Sequence, residues 1–276
     1  MKLADLTNRS GEWLRGEGPM HDVVISSRVR LARNLAGMPF LSRCADEQKH
    51  QIEIRLRDEI LAAGIAAETL YVDMAAASAI DRQLLVERHL ASRQHADAKH
   101  ARGLAVSGDE TLAIMVNEED HLRMQSLRSG LQLTDAFDDI NRIDDALESR
   151  LDFAYHQRYG YLTACPTNVG TGLRVSVMLH LPALKMTGEI EKVFRASRDM
   201  HMAIRGLYGE GTEAQGDFFQ VSNQTTLGRS EQQIVEEFRD VTIPHFIEYE
   251  RRARQALLRR RTAAVDDKVF RALALL

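Results

Sequence analysis

A run of β-branched and apolar residues at 23–31, with two arginines near its end, constrains the fold of this chain more than any other stretch. Glycines and a proline at 16–19 predict a loop before it, so the run is expected to be a strand. Side chains two residues apart lie on one face of a strand, and Arg28 and Arg30 can therefore point together at one polyanion. A solvated basic strand end is the alternative for this pair considered alone.

The other apolar patterns predict an α+β fold, with a largely antiparallel central sheet flanked by helices. Helical spacing predicts helices at 46–63, 81–90, 140–155 and 189–204, and apolar runs predict strands at 104–107, 111–116, 160–166, 173–181 and 218–222. The Gly108-Asp109 turn indicates an antiparallel hairpin whose second strand leads into an acidic loop at 117–120. Residues 230–276 are expected to be mainly helical, with a break near Pro244.

Composition argues against several classes of protein. The chain has 276 residues, 44% of them hydrophobic, and a formal net charge of −4, so nothing draws it as a whole toward nucleic acid or an anionic membrane. No apolar stretch approaches the roughly 20 residues that span a bilayer, and the N-terminus does not resemble a signal peptide. Cys44 and Cys165 have neither CxxC nor Cys/His spacing, which argues against disulfides and zinc and fits a cytoplasmic location.

Three further arginines occur in contexts that favour anion binding. Arg123 follows the acidic loop, Arg174 lies inside an apolar strand, and Arg205 precedes a glycine-rich loop. An arginine within an apolar strand needs a strong counter-charge. The chain has no Walker A motif and no protein-kinase glycine loop, and Gly170-Thr171-Gly172 lacks the third glycine of a dinucleotide fingerprint. If ATP binds, side-chain guanidinium groups must therefore hold its phosphates.

The acidic loop indicates how a phosphoryl acceptor could be held. A guanidinium group is a poor nucleophile because its pKa lies above about 12, so a guanidinium acceptor must be oriented by carboxylates that help to remove a proton. Glu119 and Glu210 are the candidates for this role. Solvated loop charges are the alternative for either residue taken alone.

Four segments together resemble the ATP:guanido phosphotransferase family, which includes arginine and creatine kinases and bacterial protein-arginine kinases. The resemblance is closest to the bacterial branch. The segments are SSRVRLARN at 26–34, NEEDHLR at 117–123, CPTNVGTGLRVSV at 165–177 and RGLYGEG at 205–211. The four segments occur along this chain in the same order as in the family, which makes the match far more specific than any single arginine pair.

The resemblance implies a role for each matching residue. Glu119 and Glu210 are implied to hold the acceptor guanidinium, with Cys165 beside the acceptor nitrogens. The implied ATP-binding set is Ser26, Ser27, Arg28, Val29, Arg30, His89, Arg123, Arg174, Val175, Ser176, Val177, Met178, Arg205, Gly206, Leu207, Tyr208, Gly209 and Glu210. A helix-surface histidine is the alternative for His89, and an inert core thiol is the alternative for Cys165 taken alone.

The implied activity is in-line transfer of the γ-phosphoryl group of ATP to arginine side chains of other proteins. Mg²⁺ is implied by ATP chemistry and by the family, since the sequence shows no dedicated metal-ligand cluster. Expected partners are proteins with exposed arginines and, as in the family, an activator protein; no nucleic acid or membrane is expected. A kinase for a small guanidino compound, or a silent regulator that binds nucleotide or phosphoarginine, are the alternatives.

The expected organisation is an N-terminal segment at 1–22, a guanido phosphotransferase catalytic domain at 23–230 and a C-terminal helical segment at 231–276. Small-substrate members of the family have a helical domain before the first arginine motif, whereas about two dozen residues precede Ser26 here. This difference, together with Leu207-Tyr208 in the loop after Arg205, favours a protein substrate. Residues 265–273 resemble the start of the C-terminal domain that binds phosphoarginine in the bacterial branch.

Overall fold

The computed structural model describes residues 3–7, 10–206 and 216–276. Its helices are α1 (Leu3–Leu6), α2 (Asp46–Ala63), α3 (Ala79–Glu87), α4 (Arg93–Asp97), α5 (Leu133–Glu148), α6 (Pro182–Thr187), α7 (Ile190–Asp199), α8 (Glu231–Glu237), α9 (Ile243–Arg260) and α10 (Thr262–Leu275). Its strands are β1 (Val24–Arg33), β2 (Thr69–Asp73), β3 (Gly103–Ser107), β4 (Leu112–Val116), β5 (Leu122–Ser129), β6 (Tyr155–His156), β7 (Gly160–Tyr161), β8 (Leu173–His180), β9 (Met202–Arg205) and β10 (Phe218–Asn223). Short 3₁₀ helices occur at Glu12–Leu14, Leu41–Arg43 and Pro166–Asn168.

Eight of these strands form one sheet in the order β2-β3-β4-β5-β1-β8-β10-β9. Every neighbouring pair in it is antiparallel. The remaining two strands, β6 and β7, pair as a separate hairpin. The prediction of an α+β fold with a largely antiparallel sheet flanked by helices is confirmed, whereas the domain boundaries at 22 and 230 stay predictions.

The alternation of side chains along the strands gives the sheet two different faces. On one face, residues such as Val29 of β1 and Val175 of β8 belong to the main hydrophobic core, which α2, α5, α8 and α9 cover. On the other face, β3 and β4 pack against a smaller core that includes Leu6 of α1 and Leu85 of α3. In β5, β1 and β8 this second face carries arginines instead of apolar residues, and the candidate site lies there.

The helix expected at 140–155 begins earlier, at Leu133, and ends at Glu148. Its buried residues include Ala136, Ile140, Ile143 and Leu147, which follow helical spacing. Beyond its end, Leu151 is also buried in the main core although it is no longer helical. The boundary was wrong because apolar residues past the helix end happen to continue the helical spacing.

Other boundaries also differ from the sequence pattern. The helix expected at 189–204 ends at Asp199, and His201, with φ of 57°, lies in the turn that leads into β9. The strand expected at 160–166 shrinks to the two residues of β7. Strands β2, β5 and β9 were not predicted, and β5 was missed because polar side chains occupy one of its faces. Pro244 lies in the first turn of α9 and causes no break, since a π-helical stretch at Phe238–Thr242 leads directly into it.

Candidate active site

A cleft of about 920 Å³ lies on the arginine-bearing face of the sheet. It is lined from β1, β5 and β8, from the turn after β4, and from the loop before β8. The predicted site residues that line it are Arg28, Arg30, His89, Glu119, Arg123, Cys165, Arg174 and Arg205. Strand pairing thus brings together residues that are far apart in the sequence.

The arginines come together through the register of the three central strands. Arg30 of β1 is directly opposite Arg174 of β8, and Arg28 is opposite Ser176. On the other side of β1, Arg123 of β5 pairs with Ala32. Like charges directly opposite one another destabilise a sheet, so this arrangement is unfavourable unless a polyanion binds it.

Burial and mutual repulsion both act on these guanidinium groups. Burial, followed by repulsion from Arg123 and Arg174, lowers the pKa of Arg28 to about 10. Burial and the neighbouring arginines also lower the pKa of Arg30 well below its ordinary value. These shifts mean that the cleft favours a ligand that brings negative charge with it.

The hydrogen-bond partners of Arg28 are uncharged side chains. Arg28 donates from Nη2 to Oε1 of Gln220 at 2.6 Å and from Nε to Oγ of Ser176 at 3.4 Å. The Nε atom of Arg30 is buried and has no hydrogen-bond partner among the described residues. The two contacts of Arg28 do not neutralise its charge. The guanidinium groups of Arg28 and Arg30 therefore suit phosphate oxygens as ligands.

Glu118 holds one arginine of the cleft in an ion pair. Its Oε2 lies 2.6 Å from Nη1 of Arg123 and accepts a hydrogen bond from the backbone N–H of Glu119 at 2.8 Å. Its Oε1 accepts from the hydroxyl of Ser92 at 2.7 Å. Burial opposes ionisation of Glu118, but Arg123 and these hydrogen bonds lower its pKa overall. Sequence reasoning missed this role, although Glu118 lies in the quoted acidic motif.

Glu119 is half-buried and lines the cleft beside Glu118. Both belong to a tight turn between β4 and β5, in which Asn117 adopts a φ of 59°. The side-chain amide of Asn117 fixes the turn by donating to the carbonyl oxygens of Lys49 at 2.8 Å and Ala101 at 2.9 Å. The turn therefore presents one carboxylate to Arg123 and the next to the cleft.

Asp120 connects this turn to the loop that carries Cys165. Its buried Oδ1 accepts from the side-chain amide of Asn34 and from the backbone N–H of Ala164, each at 2.6 Å. Burial raises the pKa of Asp120 despite these two donors. Cys165 itself is half-buried, with its Sγ 3.0 Å from Oγ1 of Thr167.

Gly172 joins the Cys165 loop to β8 at a point where no side chain fits. Its φ is 68°, and a Cβ atom there would lie 2.6 Å from the carbonyl oxygen of Ala32. The backbone N–H of Ala32 in turn bonds the carbonyl oxygen of Gly172 at 3.1 Å. Glycine thus allows the close approach that sets the start of the strand bearing Arg174.

His89 lies just beyond the C-terminus of α3 with a left-handed backbone, φ 57°. The side-chain amide of Gln125 donates to its carbonyl oxygen at 2.7 Å. Burial, followed by repulsion from Arg28, lowers the pKa of the imidazole to about 3. The ring is therefore neutral near pH 7, and Trp13 packs edge-on against it with ring centroids 4.4 Å apart.

Several residues of the implied ATP-binding set lie elsewhere. Ser26, Ser176 and Met178 line a small cavity of about 10 Å³ next to the cleft, together with Trp13. The side chains of Ser27, Val29, Val175 and Val177 are on the opposite face of the sheet, because they alternate with the cleft-facing residues. Only the backbone of those four residues could reach a ligand in the cleft, and their place in the ATP-binding set stays a prediction. Gly206 is buried at the end of β9, and Leu207, Tyr208, Gly209 and Glu210 lie outside the described residues.

Two other kinds of site are not found in the part of the chain that the structure describes. It contains no group of three or more His, Cys, Asp or Glu side chains that could hold a metal ion. Nor does it contain a helix long and apolar enough to cross a membrane.

Comparison with known proteins agrees with this geometry. Residues 51–253 match the family described as ATP:guanido phosphotransferase, C-terminal catalytic domain. The chain belongs to the ATP:guanido phosphotransferase family. This guanido phosphotransferase is 45% identical to the protein-arginine kinase of Halothermothrix orenii over 277 residues, which cover all of this chain and 79% of that one. It is also 45% identical to the protein-arginine kinase of Symbiobacterium thermophilum, over 99% of this chain and 78% of that one.

Solved structures of guanido phosphotransferases have the same fold. The duplicated taurocyamine kinase of Schistosoma mansoni with bound transition state analog components gives a TM-score of 0.74 at 26% identity, over 91% of this chain and 35% of that one. Lombricine kinase gives a TM-score of 0.72 at 26% identity, over 87% of this chain and 69% of that one.

Proposed function

We propose that this guanido phosphotransferase transfers the γ-phosphoryl group of ATP to arginine side chains of proteins. One observation carries the proposal: Arg28, Arg30, Arg123 and Arg174 line one cleft together with the carboxylate of Glu119. The arginines suit a triphosphate, and the carboxylate suits a guanidinium acceptor. The choice of protein substrates is supported by relatives that are named protein-arginine kinases and are 45% identical, against 26% for taurocyamine and lombricine kinases.

In the proposed reaction, a guanidinium nitrogen of the acceptor arginine attacks the γ-phosphorus of ATP. An N–P bond forms, the bond from the γ-phosphorus to the β,γ-bridging oxygen breaks, and ADP leaves with that electron pair. Glu119 aligns the acceptor and takes up the proton that its nitrogen loses. The arginines of the cleft stabilise the charge on the transferring phosphoryl group, an effect worth roughly 10³ to 10⁵ in rate in other phosphotransferases.

Mg²⁺ is proposed to arrive with the nucleotide, because it prefers phosphate oxygens and water to an all-protein cage. Among the described residues, Glu118 and Glu119 are the acidic side chains that line the cleft. The oxygens of Glu118 already accept from Arg123, Ser92 and the backbone N–H of Glu119, so the carboxylate of Glu119 is the one that suits such a water shell. When bound, the ion would neutralise part of the phosphate charge.

The free thiols of Cys44 and Cys165 support a reducing compartment such as the cytoplasm. An activator protein remains an expectation from the family.

The proposal is tested by ³¹P NMR of the purified chain with Mg-ATP and an arginine-rich protein. Parallel samples contain free arginine, or the same protein with its arginines replaced by lysine. We expect an acid-labile P–N signal on the arginine-rich protein and none on the lysine version. A signal on free arginine alone would replace the proposal with a small-guanidino kinase, and ADP binding without any P–N signal would indicate a silent regulator.

Glu119→Gln provides the test of the carboxylate. The amide keeps the shape but cannot accept a proton, so we expect turnover to fall by about 10² to 10⁴ while the affinity for Mg-ADP stays within twofold. The control is Glu47→Gln, an exposed residue of α2, which should change neither quantity. Equal turnover in the two variants would remove Glu119 from the mechanism.

A further inference from the structure

A short N-terminal segment, Gly11–Arg15, packs against the part of the cleft that holds His89. Its centre is the 3₁₀ helix Glu12–Leu14, and Trp13 within it is only 8% exposed. The Trp13 ring meets the imidazole of His89 edge-on, at an interplanar angle of 76°. The same indole lines the small cavity behind Arg28. This segment lies outside the four sequence motifs and outside the matched family region.

The segment is anchored firmly on the side of the sheet. Oε1 of the buried Glu12 accepts a hydrogen bond from the backbone N–H of Ser129, at the end of β5, at 3.2 Å. The hydroxyl of Ser129 then donates to the carbonyl oxygen of Glu17 at 2.9 Å. The position of Trp13 is therefore set by β5, a strand of the cleft.

The same segment also contacts the end of α3. A Cβ atom at Gly11 would lie 3.1 Å from Cδ of Arg88, so the backbone there passes directly against that side chain. Arg88 forms an ion pair with the buried Glu110 at 3.3 Å and donates to the carbonyl oxygen of Leu6. The residue immediately before His89 is thus held from two sides by the N-terminal residues.

The backbone of His89 is unusual for its position. It follows the C-terminal residues of α3, where a left-handed backbone is common but glycine normally provides it. A residue with a side chain adopts this conformation only when its surroundings hold it there. Here Gln125 bonds the carbonyl oxygen, and Trp13 covers the ring.

We propose that Trp13 is a positioning residue of the nucleotide site, which fixes the imidazole of His89 and packs behind Arg28. The inference rests on the proposed function, in that it takes His89 and Arg28 to contact a nucleoside di- or triphosphate. It assigns a role in nucleotide affinity to the N-terminal segment. Acceptor binding, which depends on Glu119 and the Cys165 loop, should not depend on Trp13.

The test measures Mg-ADP binding by calorimetry, without any acceptor. We expect Trp13→Ala to raise the Kd about three- to tenfold, the range of an aromatic edge-to-face contact, and Trp13→Phe to stay within twofold because it keeps an aromatic edge. The matched control is Phe238→Leu, a core substitution on the opposite face of the sheet that also removes buried apolar atoms. It should lower stability without changing the Kd.

Because Trp13 is the only tryptophan, its fluorescence reports on this contact in the unaltered protein. We expect Mg-ADP to change the emission with the same Kd as calorimetry, and this measurement does not depend on a variant that folds. A Trp13→Ala Kd within twofold of the unaltered protein, or a Phe238→Leu Kd raised as much as that of Trp13→Ala, would overturn the inference. The inference would also fail if Mg-ADP changed the emission of the unaltered protein while the Trp13→Ala variant bound Mg-ADP with an unchanged Kd. Trp13 would then report nucleotide binding without contributing to it.

The design separates this inference from the proposed function. If the unaltered protein binds no Mg-ADP, the proposed function fails and the inference fails with it. If it binds Mg-ADP and the Trp13 variants bind equally well, only the inference fails. A further readout is the KM for the protein substrate, which we expect to stay within twofold in Trp13→Ala while the KM for ATP rises.

Discussion

Arg30 and Arg174 lie directly opposite each other on β1 and β8, with their side chains on the open face of the sheet. Two cations in this relationship repel one another, and burial adds to the cost, as the lowered pKa of Arg30 reflects. The pair therefore makes the unliganded protein less stable than it would otherwise be. A bound polyphosphate reverses that effect, because it places negative charge between two fixed guanidinium groups.

We expect Arg30→Met to increase the free energy of unfolding of the unliganded protein by about 1 kcal/mol, because it removes one member of a like-charged pair opposite Arg174. The same substitution should lower phosphoryl transfer by roughly 10³ or more. Chemical denaturation and an ADP-release assay measure the two effects. Arg142→Met, at an exposed position on α5, is the control and should change neither. Loss of stability in Arg30→Met would instead make Arg30 a structural residue.

Glu118→Gln should destabilise the protein at pH 7 by about 1–3 kcal/mol, because it leaves the guanidinium of Arg123 without its carboxylate. The pKa of Glu118 is lowered in the folded state, so its contribution is complete above about pH 4.5. That contribution is lost as the pH falls through the folded-state pKa. Denaturation curves between pH 7 and pH 3 should therefore converge for the variant and the unaltered protein. Curves that stay parallel would mean that Glu118 titrates normally.

His95 provides a second pH test, away from the cleft. It is fully buried, its Nε2 lies 3.0 Å from the carbonyl oxygen of Gly103, and burial lowers its pKa to about 4. The native state therefore binds this proton at a lower pH than the unfolded state does. Stability from this group is complete above about pH 6.5 and falls by about 1.4 kcal/mol per pH unit between pH 6.5 and about 4.

We expect His95→Gln to reduce that slope of the unfolding free energy against pH. The exposed His50→Gln is the control and should leave the slope as it is in the unaltered protein. Denaturant titrations at half-unit pH steps measure it. An unchanged slope in His95→Gln would show that burial does not shift the pKa of His95, so that it titrates alike in the native and unfolded states.

Gly172→Ala should be much more disruptive than the same change at Gly188. Both glycines have positive φ, 68° and 73°, which costs alanine about 1–2 kcal/mol. Only at Gly172 would the new Cβ meet backbone, 2.6 Å from the carbonyl oxygen of Ala32, whereas nothing lies within 4 Å at Gly188. The midpoint temperature of thermal unfolding and the turnover should therefore both fall further for Gly172→Ala than for Gly188→Ala. Equal losses at the two sites would mean that the loop before β8 adjusts freely.

The sequence by itself determined the family and the general class of the fold. Arginines two apart in a β-branched run must share a face, and α2 appeared with the bounds that its apolar spacing predicted. The family followed from four motifs in order, and the comparisons confirmed it. These features are local, because a strand's alternation or a motif's residue order does not depend on distant parts of the chain.

Tertiary structure decided everything that depends on pairing between distant segments. β5 has too polar a face to be recognised alone, and its place beside β1 brings Arg123 toward Arg28 and Arg30. The ion pair that Glu118 forms with Arg123 depends on the turn between two strands. The packing of Trp13 on His89 joins residues 76 positions apart, and no periodicity in the sequence records a contact that only the folded sheet and α3 create.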